Sequence, residues 1–438
     1  MSVEKPLAIV LTGGSSRRLW PLGDKALIEI AGVSLLTRHL RLLDELGLEQ
    51  IMVVANQANE TAIRAEVARL NRDIAVIVQR ATDLGMAGAI LSMREALGAT
   101  AVGRAVYITH PHGSEDPLLH AGVLAASRLA GGVGVLAARP IAPADYFPGG
   151  YLVTQGEVAQ TRVRALIEKP GSNAVPPGRL ATIVAHLHPD LEALGLAIVT
   201  AERLAPAGAD DLYERAVSAL CSAIEYRVFK YSYPWYPLKY PWHLLDVMAH
   251  ALAQLDGFTD GGAQIDPLAS IVGPVYLGAG ARVLHGAQIV GPAWIGPGAL
   301  VGQFVSLRAS MVGAGAIIGV GSEINRSYIG TGSQIHGARI IDSVLAGPID
   351  GGRPSQISAG VITANLRLDG ARVRSALDGE LSDTGRRKLG AIIGAGSFVS
   401  INAGLMPGVK LGAGSVVYPG TIVYRDVPDS GVVGRRGE

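Results

Sequence analysis

"AQIDPLASIVGPVYLGAGARVLHGAQIVGPAWIGPGALVGQFVSLR", residues 263–308, repeats every six residues. Ile265, Ile271, Leu277, Val283, Ile289, Ile295, Val301 and Leu307 are spaced six apart without a miss, and Ala or Val stands two residues before each. Glycine often follows, as in Leu277-Gly278, Ile295-Gly296 and Val301-Gly302. Such a period matches neither a helix (about 3.6) nor the alternation of a strand (about 2). It is the mark of a parallel β-helix, in which each hexapeptide forms one flat side of a three-sided coil. The large aliphatic points inward onto its equivalent one coil above, and the small residues turn the corner. Eight consecutive matches exclude chance.

Downstream the register slips by one, resumes at Val312, Ile318 and Ile324, and slips again to Ile329, Ile335 and Ile341. A second clean run follows at Ile393, Val399, Leu405, Leu411, Val417 and Val423. Between them the period is lost in "LRLDGARVRSALDGELSDTGRRKLG", residues 366–390. That insertion is charged and turn-rich, so it is expected to project from the coil, where such folds place chemistry.

Upstream the texture differs. Short runs rich in Val and Ile, at Leu7–Leu11, Ile51–Ala55, Ile74–Val78 and Ala105–Thr109, alternate with helical spacing at Leu35–Leu46 and Thr61–Leu70. Such alternation predicts a Rossmann-like α/β domain, a mostly parallel sheet with helices on both faces and ligands at the carboxyl ends of its strands. There stands "LTGGSSRRLWPL", Leu11–Leu22. Gly13 and Gly14 allow close backbone approach, Ser15 and Ser16 add hydroxyls, and Arg17 and Arg18 add charge, a chemistry that suits an anion. A plain strand-to-helix turn is the competing reading. The expected division is an α/β domain over residues 1–258 and a β-helix over 263–430.

With 438 residues the chain is too long for one ordinary core. Its 38 Lys and Arg against 37 Asp and Glu give no sign of a nucleic-acid or membrane-surface partner. The single cysteine, Cys221, excludes an internal disulfide framework and a Cys-based zinc site. No stretch reads as a signal peptide or a membrane span, and a cytoplasmic protein is expected.

The strand followed by "GGSSRRLWPL", with Lys25 soon after, resembles the signature of sugar-1-phosphate nucleotidyltransferases. The resemblance implies a loop of Gly13, Gly14, Ser15 and Ser16 around a nucleoside triphosphate, Arg18 on its outer phosphates and Lys25 on the sugar phosphate. "GMAGAI", Gly85–Ile90, resembles the segment that reads base and sugar, which marks Gly85 and Gly88. "EKP", Glu168–Pro170, resembles the sugar-binding strand, which marks Glu168 and Lys169, and "YPWHLLD" the run that closes the catalytic domain.

The C-terminal half is similar to that of archaeal-type bifunctional enzymes, which join N-acetylglucosamine-1-phosphate uridylyltransferase to glucosamine-1-phosphate acetyltransferase. The similarity rests on "ITANLRLDG", "DTGRRKLGAIIG", "MPGVKLG" and "IVYRDVP". It implies that His336 is the general base and that Asn365 belongs to the acceptor site, with acetyl-CoA as co-substrate and a trimer or a multiple of it. Where the family has two lysines after that asparagine, Ala371 and Arg374 stand.

The family also holds Mg2+ on two aspartates. At the first place stand His112 and Gly113, with Asp116 a few residues late; at the second stands His243, three residues before Asp246. His112, Asp116, His243 and Asp246 are the candidate metal ligands, and imidazole favours softer ions over magnesium. The alternative for His110, His112 and His243 is ordinary hydrogen bonding. Two further functions stay open: an acetyltransferase whose nucleotidyltransferase domain only binds ligand, and a non-enzymatic regulatory or scaffold subunit.

Overall fold

The computed structural model describes residues 5–111, 113, 116–143, 145–155, 161–348 and 352–434. By contacts the chain divides into two compact units, one of residues 1–15, 36–111 and 115–235, the other of 16–35, 112–114 and 236–438. The cut we propose at 258–263 follows the change of repeat, whereas the contacts group Ser16–Leu35 and the segment from Tyr236 with the coil.

The first unit is built on nine strands: β1 Leu7–Leu11, β2 Ile51–Ala55, β3 Ala75–Val78, β4 Val106–Thr109, β5 Gly134–Pro140, β6 Gly150–Gln155, β7 Arg162–Glu168, β8 Leu180–His188 and β9 Tyr226–Lys230. Their order is β3-β2-β1-β4-β8-β5-β9-β7-β6. The first four are parallel, and β8 runs antiparallel between β4 and β5. The buried Val and Ile of β1, β2 and β4 are those that mark the strands in the sequence. The strand β9 follows the helix Leu212–Ala223 and has no counterpart in the sequence reading. The chain leaves β1 on one side and returns to β4 on the other, so a crevice opens at their carboxyl ends.

Under the far half of this sheet lies a buried polar chain. Thr182 Oγ1 meets His186 Nε2 at 2.9 Å, and the Tyr213 hydroxyl joins His186 Nδ1 (2.7 Å) to His188 Nε2 (2.9 Å). The Tyr226 hydroxyl closes the chain on His188 Nδ1 at 2.8 Å. Burial holds the His186 imidazole down at about 3, and His188 is lowered in the same direction by burial and then by its neighbour.

The second unit is the left-handed β-helix. Three parallel sheets form its faces: a first of eight strands from Phe258–Thr259 to Lys410–Leu411, a second of nine from Gln264–Ile265 to Val432–Val433, and a third of eight from Ser270–Val272 to Ile422–Val423. Val275 pairs with Ala293, Tyr276 with Trp294 and Leu277 with Ile295, three hexapeptides on. The inward aliphatics from Leu277 to Val423 are buried, while Ile265 is exposed in the second face's end strand.

The slips in register are short corners. Leu307 to Val312, Ile324 to Ile329 and Ile340 to Leu345 are five-residue steps, and each holds a buried serine, Ser310, Ser327 or Ser343. The Ser310 hydroxyl accepts the Ser327 N–H (3.0 Å), the Ser327 hydroxyl the Ser343 N–H (3.1 Å), and the Ser343 hydroxyl the Ala391 N–H (3.1 Å). One residue is thereby corrected. The inward residue after Ile335 is Ile340, paired with Ile324, and not Ile341, because the turn at Gly337 (φ 60°) is itself one residue short. The insertion forms an antiparallel hairpin, Arg374–Leu377 with Glu380–Asp383.

The second unit also contains α-helix Leu244–Ala253 and the segment Ser16–Leu35, packed on the coil's first face. Leu19, Ile28, Ile30, Leu245 and Trp242 share one apolar cluster with Trp294, Met311 and Tyr328. Among the described residues no helix is long and apolar enough to cross a membrane.

A group whose native pKa is depressed below 6.5 as a base costs stability once the unfolded chain takes its proton. The first unit is therefore expected to lose about 1.4 kcal/mol per pH unit for His186 as pH falls below about 6.5 toward 3, and His188 adds a loss of the same sign. Urea unfolding of His186→Gln should lose markedly less stability than wild type over the same acid range; parallel curves would refute the assignment.

Candidate functional site

The site residues fall into both units, and each is described within its own. At the end of β1, Thr12 turns its hydroxyl onto the Val54 carbonyl (2.9 Å). Asn59 Nδ2 holds the Thr12 carbonyl (2.8 Å) and Asn56 Nδ2 the Gly13 carbonyl (3.0 Å). The two asparagines cap each other, each side-chain oxygen accepting the other's backbone N–H at 2.8 and 2.9 Å. With the Thr12 and Gly13 carbonyls tied down, the N–H groups of Gly13, Gly14 and Ser15 make no hydrogen bond among the described residues. A run of unpaired backbone donors beside open space is what an anion requires. A Cβ at Gly14 would meet nothing within 4 Å.

Gln79, buried at the end of β3, joins the two glycine-rich stretches. Its Nε2 donates to the Ala81 carbonyl (2.8 Å) and the Gly85 carbonyl (2.7 Å), which fixes its orientation. A Cβ on Gly13 would stand 2.6 Å from Gln79 Oε1, and one on Gly88 2.1 Å from the Ala81 carbonyl oxygen. Gly88 is thus required by a close approach, and Gly85 by its φ of 54° at the start of helix Gly85–Leu97. Sequence reasoning missed Gln79, Asn56 and Asn59. A Gln six residues before Gly85 at a strand end, and Asn-x-x-Asn at another, were the signals available.

Glu168 ends β7, and Lys169 follows with φ 42°. Lys169 Nζ pairs with Glu168 (3.2 Å) and Asp210 (3.1 Å). Burial lowers that ammonium's pKa, but these carboxylates outweigh it and raise it overall. Nearby, burial and then the Glu168 charge push Glu214 up to about 7. One cation among several carboxyl groups offers many acceptors, a chemistry matched to hydroxyl-rich ligands.

Asp116 spends both oxygens inside the fold. Oδ1 caps helix Pro117–Leu129 by accepting the Leu118 N–H (2.8 Å), and Oδ2 accepts the Tyr231 hydroxyl. Burial, followed by that carboxylate, raises the Tyr231 phenol well above its usual range. His110 lies half-buried at the end of β4, with Nδ1 3.4 Å from the Pro111 carbonyl.

In the second unit Ser16 takes a left-handed turn (φ 49°), and its hydroxyl accepts the Lys25 N–H at 3.2 Å. Arg18 sits exposed on the one-turn helix Arg17–Leu19, and half-buried Lys25 opens the next, capped by Asp24. His243 points Nδ1 at the Pro237 carbonyl (3.0 Å), and burial above all depresses its pKa. Asp246 pairs with Arg386 of the insertion at 2.5 Å. Gly113 has φ 141°, and a Cβ there would stand 2.7 Å from the Tyr236 carbonyl oxygen, so no aspartate fits in its place. His112 lies outside the described residues. Among those described, no three His, Cys, Asp or Glu side chains converge on a metal position.

On the coil, His336 is exposed at the corner between the second and third faces. Asn365 follows Ile362–Thr363, at the corner between the third and first faces, with Nδ2 2.5 Å from Asp342 Oδ2. One chain therefore puts them on different edges. Arg374 is exposed at the start of the hairpin.

A family model for the MobA-like NTP transferase domain matches residues 8–108. Over 96% of this chain and 98% of the relative, the sequence is 29% identical to a bifunctional sugar-1-phosphate nucleotidylyltransferase/acetyltransferase of Sulfurisphaera tokodaii. It is 31% identical over 101 residues to the bifunctional protein GlmU of Nitratidesulfovibrio vulgaris, covering 23% of this chain and 18% of that one. Among solved structures, apo UDP-glucose pyrophosphorylase superposes with a TM-score of 0.48 and 12% identity, over 57% of this chain and 99% of that one.

Gln79→Ala is expected to free both glycine stretches and weaken nucleoside triphosphate binding about tenfold, the worth of one to two hydrogen bonds. Calorimetric titration of wild type and variant would check this; equal affinities would show that Gln79 has no hold on the loop.

Proposed function

We propose that this chain is a two-activity enzyme of sugar-nucleotide synthesis, a sugar-1-phosphate nucleotidyltransferase joined to an acetyltransferase β-helix. The observation that carries the reading is the end-to-end similarity to a relative named for both activities. The cradle of N–H groups at Gly13–Ser15, unpaired among the described residues, and the exposed His336 supply matching chemistry. The substrates are a nucleoside triphosphate, a sugar 1-phosphate and acetyl-CoA, and the enzyme works in the cytoplasm.

In the nucleotidyltransferase domain, Gly13, Gly14, Ser15 and Ser16 receive the triphosphate. Arg18 meets its outer phosphates and Lys25 the sugar phosphate, whose oxygen displaces pyrophosphate. Gly85 and Gly88 line the base and sugar, and Glu168 and Lys169 take the sugar hydroxyls. In the β-helix, His336 accepts a proton from the amino group of the hexosamine phosphate as the nitrogen attacks the thioester carbonyl. The C–S bond breaks, the thiolate of CoA leaves, and an amide remains. Asn365 and Arg374 hold the acceptor. Since His336 and Asn365 lie on different edges, a homotrimer or a multiple of it, in which edges of neighbouring copies meet, suits this site.

A divalent metal is implied by the family resemblance, but the described residues do not fit one. Asp116 is oriented by a helix cap and a phenol and Asp246 by a guanidinium, Gly113 has no room for a carboxylate, and no three ligating side chains converge among the described residues. No step is therefore routed through a metal. The same observation favours the second reading, an acetyltransferase whose nucleotidyltransferase domain chiefly binds ligand.

Two measurements test this. His336→Ala is expected to slow CoA release with glucosamine 1-phosphate by about 100-fold or more, with triphosphate binding untouched; a wild type that releases no CoA with any hexosamine phosphate would end the acetyltransferase reading. Pyrophosphate release with Mg2+, over a panel of triphosphates and sugar phosphates, is expected to run about 100-fold or more below CoA release, because metal stabilisation of the leaving charge is worth several kcal/mol. Brisk magnesium-dependent turnover would place the metal ligands elsewhere and favour the first reading.

A further inference from the structure

Three polar side chains stand along one edge of the coil, in successive turns. Arg326 follows the third-face strand Glu323–Asn325, Asp342 follows Arg339–Ile341, and Asn365 follows Ile362–Thr363. Asp342 is 3% exposed. Arg326 grips it as a fork, with Nε 2.6 Å from Oδ1 and Nη2 2.8 Å from Oδ2, and its Nη1 rests on Asn325 Oδ1 at 3.0 Å. From the other side Asn365 Nδ2 lies 2.5 Å from Asp342 Oδ2.

An ionised carboxylate only accepts hydrogen bonds, so the Asn365 amide must present its NH2 to Asp342. Its carbonyl oxygen then faces away, and no side chain among the described residues donates to it. Without the carboxylate, the amide could sit either way round. We infer that Asp342, clamped by Arg326, is a positioning residue that turns the Asn365 carbonyl oxygen toward the acceptor, so that this site selects a ligand bearing an N–H or O–H donor there, as an amino sugar does.

This rests on the acetyltransferase reading, and on nothing in the nucleotide-binding half. It also explains why a charged pair is kept at a corner where neighbouring coils use glycine or alanine, as at Gly291 and Ala309. A bidentate arginine holds both carboxylate oxygens in plane, which fixes the direction of the third hydrogen bond.

The test is Asp342→Asn, read by acceptor and donor kinetics and by calorimetric binding of glucosamine 1-phosphate. The KM and the binding constant for glucosamine 1-phosphate are expected to rise about tenfold or more, with the KM for acetyl-CoA unchanged within about twofold. Unchanged acceptor constants overturn the inference, and so does an equal rise in both KM values, the mark of general damage. Weaker binding of glucosamine 1-phosphate by the variant, in a protein that releases no CoA, would sustain the orientation of Asn365 while removing the acetyltransferase reading. Failure of wild type to bind glucosamine 1-phosphate overturns both. Should Asp342→Asn not fold, Arg326→Ala keeps the carboxylate and loosens its clamp; a rise of about threefold in the acceptor KM alone is expected, and none overturns the proposal.

Discussion

Each coil of the β-helix must bring its chain back to the height at which the next strand can pair, with an aliphatic above an aliphatic. The pairs Val275–Ala293, Leu277–Ile295 and Ile295–Val312 express that requirement, and so does the column of buried Val, Leu and Ile behind them. Flat sides carry the ladder, so any adjustment of length falls on the corners. A corner shortened by one residue leaves backbone donors without a partner in the ladder, and burial would make that costly. Ser310, Ser327 and Ser343 supply the missing acceptors, each to the coil above. The corners are then the places where polar side chains can stand without disturbing the column. His336, Arg326 and Asn365 reach solvent there, while Asp342 is buried between Arg326 and Asn365.

The same logic separates what the sequence made legible from what it did not. A six-residue period shows in the chain because every inward residue obeys one local rule, and the alternation of β1, β2 and β4 with helices is equally local. Ile340 was masked by the expectation of a constant step, since a five-residue corner depends on Gly337 and on a serine hydroxyl one coil away. The strand β9 lacks a distinctive run and owes its place to β5 on one side and β7 on the other. Asp342 was illegible for a different reason. It acts through partners that adjoin it only after folding, so no spacing announces it; Arg326 and Asn365 lie sixteen and twenty-three residues away. Gln79 left a fainter trace in its place six residues before Gly85, while its approach to Gly13 exists only in the fold.

Several carboxylates are committed within the fold. Asp116, Asp246, Asp342 and Asp369 each have a defined partner, and the pairing of Asp369 with Arg367 holds its carboxyl far below the ordinary range. A carboxylate that already caps a helix and receives a phenol is fixed in direction, so a cation could meet only the lone pairs those two bonds leave over. The backbone donors at Gly13–Ser15 are the opposite case: they are fixed in place by Asn56 and Asn59 and carry no bond among the described residues. Preorganised donors of this kind bind an anion without paying to rearrange.

The segment Ser16–Leu35 is moored along the first face of the coil. The Tyr328 hydroxyl donates to the Glu29 carbonyl (2.8 Å) and Thr331 to the Glu29 carboxylate (2.8 Å), while the Trp20 indole N–H reaches Asp429 at 2.9 Å. Lys410, buried and paired with Asp426 at 2.6 Å, stands over the Trp20 ring at 5.5 Å. The stretch bearing Arg18 and Lys25 is therefore an N-terminal sequence with a C-terminal foundation. A coil swapped in from elsewhere would bring its own first face, and Ser16–Leu35 would have to be refitted to it. Dissection meets the same obstacle, since a fragment ending at residue 258 keeps the letters of the arginine loop and loses its mooring.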